Sequence, residues 1–311
     1  MSRIHEALKK AEQERATIQG GDVSSGWTPV SPVEPVAFSQ PAAPAAHEGN
    51  AGGTASIAGM APAFSLEALL ARCPQLTWKP ELAVSLFMNG NEGAQGTEQF
   101  RTLRSRLYLM REKMPLKTLL ITSALPKEGK SFTASNLAQV FVRQHGRRVL
   151  LIDADLRGPR LHLMLGTSCE PGLSDYLQGS CDEFSIMQRG AMENLFFVPS
   201  GSGIENAAEL VGNGRLKFLL ERVEPLFDWI IIDSPPAVPV SDAAVLAKAC
   251  DGVLMVVRSE STPSDIARKA RMEFREDSLL GVVLNGIDDK TGAYARYYYP
   301  EYATNGSRNK S

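Results

Sequence analysis

Cysteine is scarce and scattered in this sequence. The four residues Cys73, Cys169, Cys181 and Cys250 stand far apart among 311, with neither the close pairs of a zinc site nor the density of a disulfide framework. Long apolar runs are missing as well: no stretch approaches the ~18 residues a helix needs to cross a bilayer. The opening MSRIHEALKKAEQERA is too charged for a secretory signal. Charge of one sign is also lacking, since 33 Lys and Arg against 35 Asp and Glu leave a formal net charge of −2. The basic residues are dispersed, which argues against a nucleic-acid partner. These absences together predict a protein of a reducing, cytoplasmic compartment.

Composition divides the chain into five expected segments. Residues 1–19 place Ile4, Leu8 and Ala11 at the spacing of one helix face between charged residues. Such an amphipathic helix either docks on a partner or a membrane surface or merely caps the domain, and the spacing does not choose. Residues 20–63 are dominated by Pro, Gly, Ala and Ser and read as a disordered linker that cannot bury enough surface to offset its ordering entropy. Residues 64–97, containing LEALLARC and ELAVSLF, form an N-terminal extension that matches no informative pattern. Residues 98–287 are long enough for one well-buried domain. Residues 288–311 read as a flexible, tyrosine-rich tail.

Within residues 98–287, short apolar runs alternate with helical segments. Strands are predicted at 117–122 (KTLLIT), 148–152 (RVLLI), 195–198 (LFFV), 229–232 (WIII), 253–257 (VLMVV) and 281–285 (GVVLN), with helices at 130–144, 215–223, 241–249 and 263–276. Uninterrupted apolar strands imply burial on both faces, and strand-helix alternation implies parallel crossovers. The fold class is therefore α/β, a doubly wound and mostly parallel sheet. In such sheets ligands gather at the carboxyl ends of the strands.

Three strand ends carry chemistry. After the first strand comes ALPKEGKS, Ala124 to Ser131, followed by a helical run; this is a P-loop, or Walker A loop, with Ala in place of its first glycine. Gly129 frees the backbone to turn amide groups inward, and the helix start adds partial positive charge toward a phosphate. Loop residues Pro126, Lys127, Glu128, Gly129, Lys130, Ser131 and Phe132 are the expected nucleotide cradle. Lys130 would reach the β and γ phosphates and Ser131 a magnesium ion. The second strand ends in LLIDADLRGPRLH, which sets Asp153 and Asp155 at its carboxyl end, and the fourth ends in WIIIDSPP, which sets Asp233 there. One such carboxylate could be a helix cap, but three beside a P-loop are better explained by metal, water and hydroxyl positioning. Pro235 and Pro236 would stop the strand after Asp233. Asn285 closes the last strand, either against the nucleotide base or as a turn residue before Gly286.

Tyrosine is rare everywhere except at one place. Of seven, five (Tyr294, Tyr297, Tyr298, Tyr299 and Tyr302) fall within YARYYYPEY near the C-terminus. An aromatic patch for a partner groove is the bland explanation, but the segment has no strand or helix period. A phenol carried there lies within ~40 Å of the strand ends if the chain is extended.

Together, ALPKEGKS, LLIDADLR, WIIIDSPP and the tyrosine cluster resemble the bacterial tyrosine kinase family of capsule and exopolysaccharide synthesis, over residues 98–302. The resemblance implies a tyrosine autokinase using ATP and magnesium, with Lys130 and Ser131 on phosphates and metal, Asp153 activating the tyrosine hydroxyl, and Asp155 and Asp233 supporting the metal. It makes the five tail tyrosines the phosphoacceptors. Upstream, Glu98, Arg101 and Arg104 match the family's ExxRxxR segment, implying a subunit-contact helix and a ring-type homo-oligomer. The bland reading of that spacing is an exposed helix with internal ion pairs. No membrane-spanning activator segment is fused to the chain, so the resemblance further implies a separate transmembrane partner, recruitment to the inner face of the cell membrane, and a protein tyrosine phosphatase. Lys127 stands where the family commonly has glycine. The chief alternatives are a partitioning or division-site type ATPase, which shares the strand-end aspartates but usually has an early loop lysine where Leu125 stands here, and a nucleotide-binding scaffold without phosphoryl transfer.

Overall fold

Six apolar runs of the sequence, and one that its composition does not advertise, build a single sheet in a computed structural model. The described residues are 65–88, 96–190, 192–202, 204 and 206–287. The amphipathic segment, the linker and the tyrosine cluster lie outside them.

The strands are β1 (Thr118–Ser123), β2 (Val149–Asp153), β3 (Gln188–Arg189), β4 (Leu195–Val198), β5 (Trp229–Asp233), β6 (Gly252–Arg258) and β7 (Leu279–Asn285). Their order across the sheet is β3-β4-β2-β5-β1-β6-β7, every neighbouring pair parallel except the short β3 against β4. The doubly wound expectation therefore holds. The helices are α1 (Leu66–Arg72), α2 (Thr97–Arg111), α3 (Lys130–Val142), α4 (Leu161–Leu165), α5 (Leu173–Gln178), α6 (Ala207–Val211), α7 (Arg215–Val223), α8 (Asp242–Ala247) and α9 (Ser264–Met272). None is long and apolar enough to cross a membrane among the described residues.

Alternation along the strands sends side chains to two cores. Leu120, Leu150 and Ile232 join α5 to α9 on one face; Leu119, Ile121, Leu151 and Ile231 join α2, α3 and α4 on the other. Trp229 anchors the second core, stacked on Phe141 of α3 with ring centroids 4.3 Å apart. Strands β1, β2, β4 and β5 are buried along their whole length, as continuous apolar sequence demands. Strand β7 departs from that expectation: it is an edge strand, and Val282 and Leu284 are more than half exposed. Its sequence is as apolar as its neighbours', but no helix among the described residues covers that face.

The N-terminal extension is part of the fold. Residues 65–88 run as a strap whose Leu69 enters the first core and whose Trp78 and Phe87 enter the second. Asn136, fully buried in α3, accepts the Leu86 N–H (2.8 Å) and donates to the Val84 carbonyl (2.9 Å). Glycine at 190 is required by the same strap, since a Cβ there would fall 2.2 Å from the Trp78 ring.

Candidate active site

The P-loop leaves β1 and turns into α3 through two residues of positive φ, Lys127 (68°) and Gly129 (97°). A Cβ at Gly129 would lie 2.0 Å from Nδ2 of Asn285, so glycine is needed there for conformation and for room. The first turn of α3 receives no side-chain cap. Its N–H groups and the positive end of the helix dipole are thus left for an anion.

The strand ends bring the acidic residues to that loop. Asp153 and Asp233 are register partners on β2 and β5, and the Ala154 N–H donates to the Asp233 carbonyl (2.8 Å), knitting the two exits together. Lys130 points its Nζ to Asp155 Oδ2 at 2.6 Å and to Asp233 Oδ2 at 3.6 Å, and lies 3.2 Å from Ser131 Oγ. The four sequence-identified residues Lys130, Ser131, Asp155 and Asp233 are therefore one cluster, and Asp153 borders it. Strand β5 stops at Asp233 as the two prolines require, and the Thr122 hydroxyl donates to the Pro235 carbonyl (3.0 Å) to hold that exit against β1.

Three carboxylates face one ammonium in a site that solvent scarcely reaches. Burial opposes the charge on Lys130, yet Asp233 and Asp155 outweigh it and raise its pKa above the ordinary lysine value. Burial, reinforced by the Asp233 carboxylate and only partly opposed by Lys130, pushes Asp153 up to about 8. Burial also raises Asp233, to about 6, against the pull of Lys130. Asp153 has a full set of partners: it accepts N–H groups from Asp155 (3.2 Å), Arg160 (3.2 Å) and Leu161 (3.0 Å), the last two opening α4. Neither buried oxygen of Asp233 is within hydrogen-bond distance of a donor, and Oδ2 faces the Lys130 ammonium across 3.6 Å.

That carboxylate without a hydrogen bond, beside the Ser131 hydroxyl and in an excess of negative charge, fits a magnesium ion. Among the described residues no three His, Cys, Asp or Glu side chains could hold a metal alone. Magnesium at phosphoryl-transfer sites is held by one or two carboxylates with phosphate and water, so no all-protein cage is required.

Other expected residues serve different contacts. Asn285 donates its side-chain amide to the Glu128 carbonyl (2.9 Å), bracing the loop. The Glu128 side chain turns into the protein, 3% exposed, and accepts the Leu125 N–H (2.8 Å). Glu98 and Arg101 pair with each other on α2, and Arg104 donates to the Val140 carbonyl of α3 (2.9 Å). Both contacts are made within this chain. Sequence reading assigned no role to Arg157, although LLIDADLR contains it. Its guanidinium grips Asp242, at the start of α8, through Nε (2.7 Å) and Nη2 (3.1 Å), and so ties the exit of β2 to the segment that follows β5. Asp242 lay in no motif and is 1% exposed; a buried acid of that kind is recognisable only from its surroundings.

The comparisons with known proteins agree with this geometry. Residues 127–265 match the family described as AAA domain. Tyrosine-protein kinase YwqD of Bacillus subtilis (strain 168) is 36% identical over 205 residues, covering 65% of this chain and 85% of that protein. The putative tyrosine-protein kinase EpsB of Ralstonia nicotianae is 34% identical over 213 residues, 66% of this chain, which spans only 28% of EpsB. Among solved structures, the kinase domain of the Escherichia coli tyrosine kinase ETK superposes with a TM-score of 0.61 at 31% identity, covering 65% of this chain and 80% of that domain. With its P-loop and strand-end aspartates in place, a 36% identity that extends over 85% of YwqD places this chain in the bacterial tyrosine-protein kinase family.

Proposed function

We propose that the chain is a tyrosine autokinase that transfers the γ-phosphoryl group of ATP to its own C-terminal tyrosines, Tyr294, Tyr297, Tyr298, Tyr299 and Tyr302. One observation carries this reading: Asn285, the last residue of β7, is hydrogen-bonded to Glu128 of the P-loop, nine residues before Tyr294. The last described strand thus ends beside the phosphate site. Nine extended residues span ~30 Å, enough to reach a neighbouring copy's site.

In this reading the α3 N-terminus and the P-loop amides hold the phosphates, and Lys130 leaves its carboxylates to neutralise charge on the group in transfer. Ser131, Asp155 and Asp233 would hold a magnesium ion, which supplies charge neutralisation and orientation of the phosphates when bound. Asp153, fixed by the α4 amides, accepts the phenol proton. Catalysis then consists mainly of positioning and electrostatics.

The wider role proposed is control of capsule or exopolysaccharide synthesis, in a ring-type oligomer using the exposed Glu98 face of α2, with a separate transmembrane activator at the cytoplasmic face of the membrane and a phosphatase to reset the tail. Incubation of the purified protein with ATP and magnesium, followed for phosphotyrosine, tests the core of this. Changing all five tail tyrosines to Phe should remove the label and spare nucleotide binding. Label that survives refutes the acceptor assignment, and phosphate appearing only in solution points to an ATPase.

A further inference from the structure

Glu128 sits in the phosphate loop, where a negative side chain aimed at the ligand would repel it. Instead its carboxyl group is buried and used up inside the protein. One oxygen accepts the Leu125 N–H of the same loop at 2.8 Å. The other accepts the hydroxyl of Thr262, in the loop that follows β6. The Thr262 oxygen in turn accepts the Arg258 N–H (3.2 Å) at the end of β6, and the Ser259 N–H donates to the Asn285 carbonyl (2.8 Å). The phosphate loop is therefore held closed by its own residue 125 and laterally by β6 and β7. No other side chain links the P-loop to the segment after β6 by a charged acceptor among the described contacts.

We propose that Glu128 and Thr262 form a clasp that sets the phosphate loop in its binding shape, making both positioning residues for the kinase reaction. The inference rests on the reading of this loop as an ATP site. A charged acceptor satisfied by an N–H and an O–H on two different segments fixes both at once. Loosening one leg leaves Lys130 and the α3 amides in place but lets the loop that carries them fluctuate. Ordering it would then be charged against nucleotide binding.

Thr262 is half-buried, so Thr262→Val keeps the volume and removes only the hydroxyl. With the full chain, we expect Thr262→Val to raise both the ATP KM for tail labelling and the dissociation constant of a fluorescent ATP analogue about tenfold, the scale of a hydrogen bond to a charged group. The labelling kcat should change by less than about threefold, a split that separates loop ordering from loss of chemistry. Thr262→Ser should restore wild-type affinity. Glu128→Ala, which removes both legs, should weaken binding at least as much, and the double variant should cost less than the two effects combined. Unchanged nucleotide affinity in Thr262→Val, or failure of Thr262→Ser to rescue it, overturns the clasp. Absence of nucleotide binding by the wild-type chain would instead remove the ATP reading of the site itself.

Discussion

Asp153 and Asp233 stand in register on adjacent parallel strands, both without solvent exposure. Burial raises both, Asp153 with the help of the Asp233 charge and Asp233 with the help of the Asp155 charge. The site in the nucleotide-free chain is thus short of positive charge.

Replacing Asp153 by Asn should abolish tyrosine labelling and remove this group's share of the pH dependence of stability. The folded-state pKa of Asp153 is raised from 3.8 to about 8, so the folded chain binds more protons than the unfolded chain between those values. Stability from this group is full below the unfolded pKa and is lost as pH rises through about 8. Whatever its level in acid, set by the N–H group that the amide nitrogen cannot accept, the variant should gain on wild type by ~1–2 kcal/mol between acid and alkali. Urea unfolding at pH 5, 7 and 9 measures this, and identical pH slopes for the two proteins would contradict it.

Lys130→Met removes the only ammonium that the described contacts place between Asp155 and Asp233. Labelling should be lost, and the nucleotide-free fold should weaken by ~3 kcal/mol because buried charge is left unpaired. Asp233, already raised to about 6, can protonate to relieve this, so the loss should be smaller at pH 5 than at pH 8. A loss that grows toward acid would argue against the pairing.

Lys127 adopts φ 68°, a conformation that costs an L-residue but not glycine. Lys127→Gly should therefore raise stability by ~0.5–1 kcal/mol and leave nucleotide affinity within a few-fold. Thermal unfolding with and without ATP checks both parts. A large loss of affinity would show that the side chain, and not the backbone, serves the ligand.

Arg157 and Asp242 join the exits of two strands, and Asp242 is buried. Arg157→Ala should cost ~2 kcal/mol by stranding that carboxylate, Asp242→Ala a similar amount, and the pair together clearly less than the sum. Strict additivity in unfolding experiments would mean that the bridge contributes nothing as a unit.

What the sequence disclosed follows from the range of the interactions involved. Strands β1, β2, β4 and β5 were readable because burial on both faces forces continuous apolar residues, and the P-loop because its function is local. β7 was misread as covered since its composition is that of a buried strand, whereas coverage depends on which helices pack across it. Asn285 could not be decided because its partner Glu128 is 157 positions away, and Asp242 could not be found because Arg157 is 85 positions away. Lys127 carried a legible hint, a bulky residue where glycine is usual, whose meaning is a backbone angle.

The strap has a practical corollary for trimming the protein. Trp78 and Phe87 wall one core, and Asn136 in the middle of α3 grips the backbone of residues 84 and 86. An excised kinase fragment beginning at Thr97 would strip that wall and open the helix that follows the phosphate loop, so trimming must spare the strap.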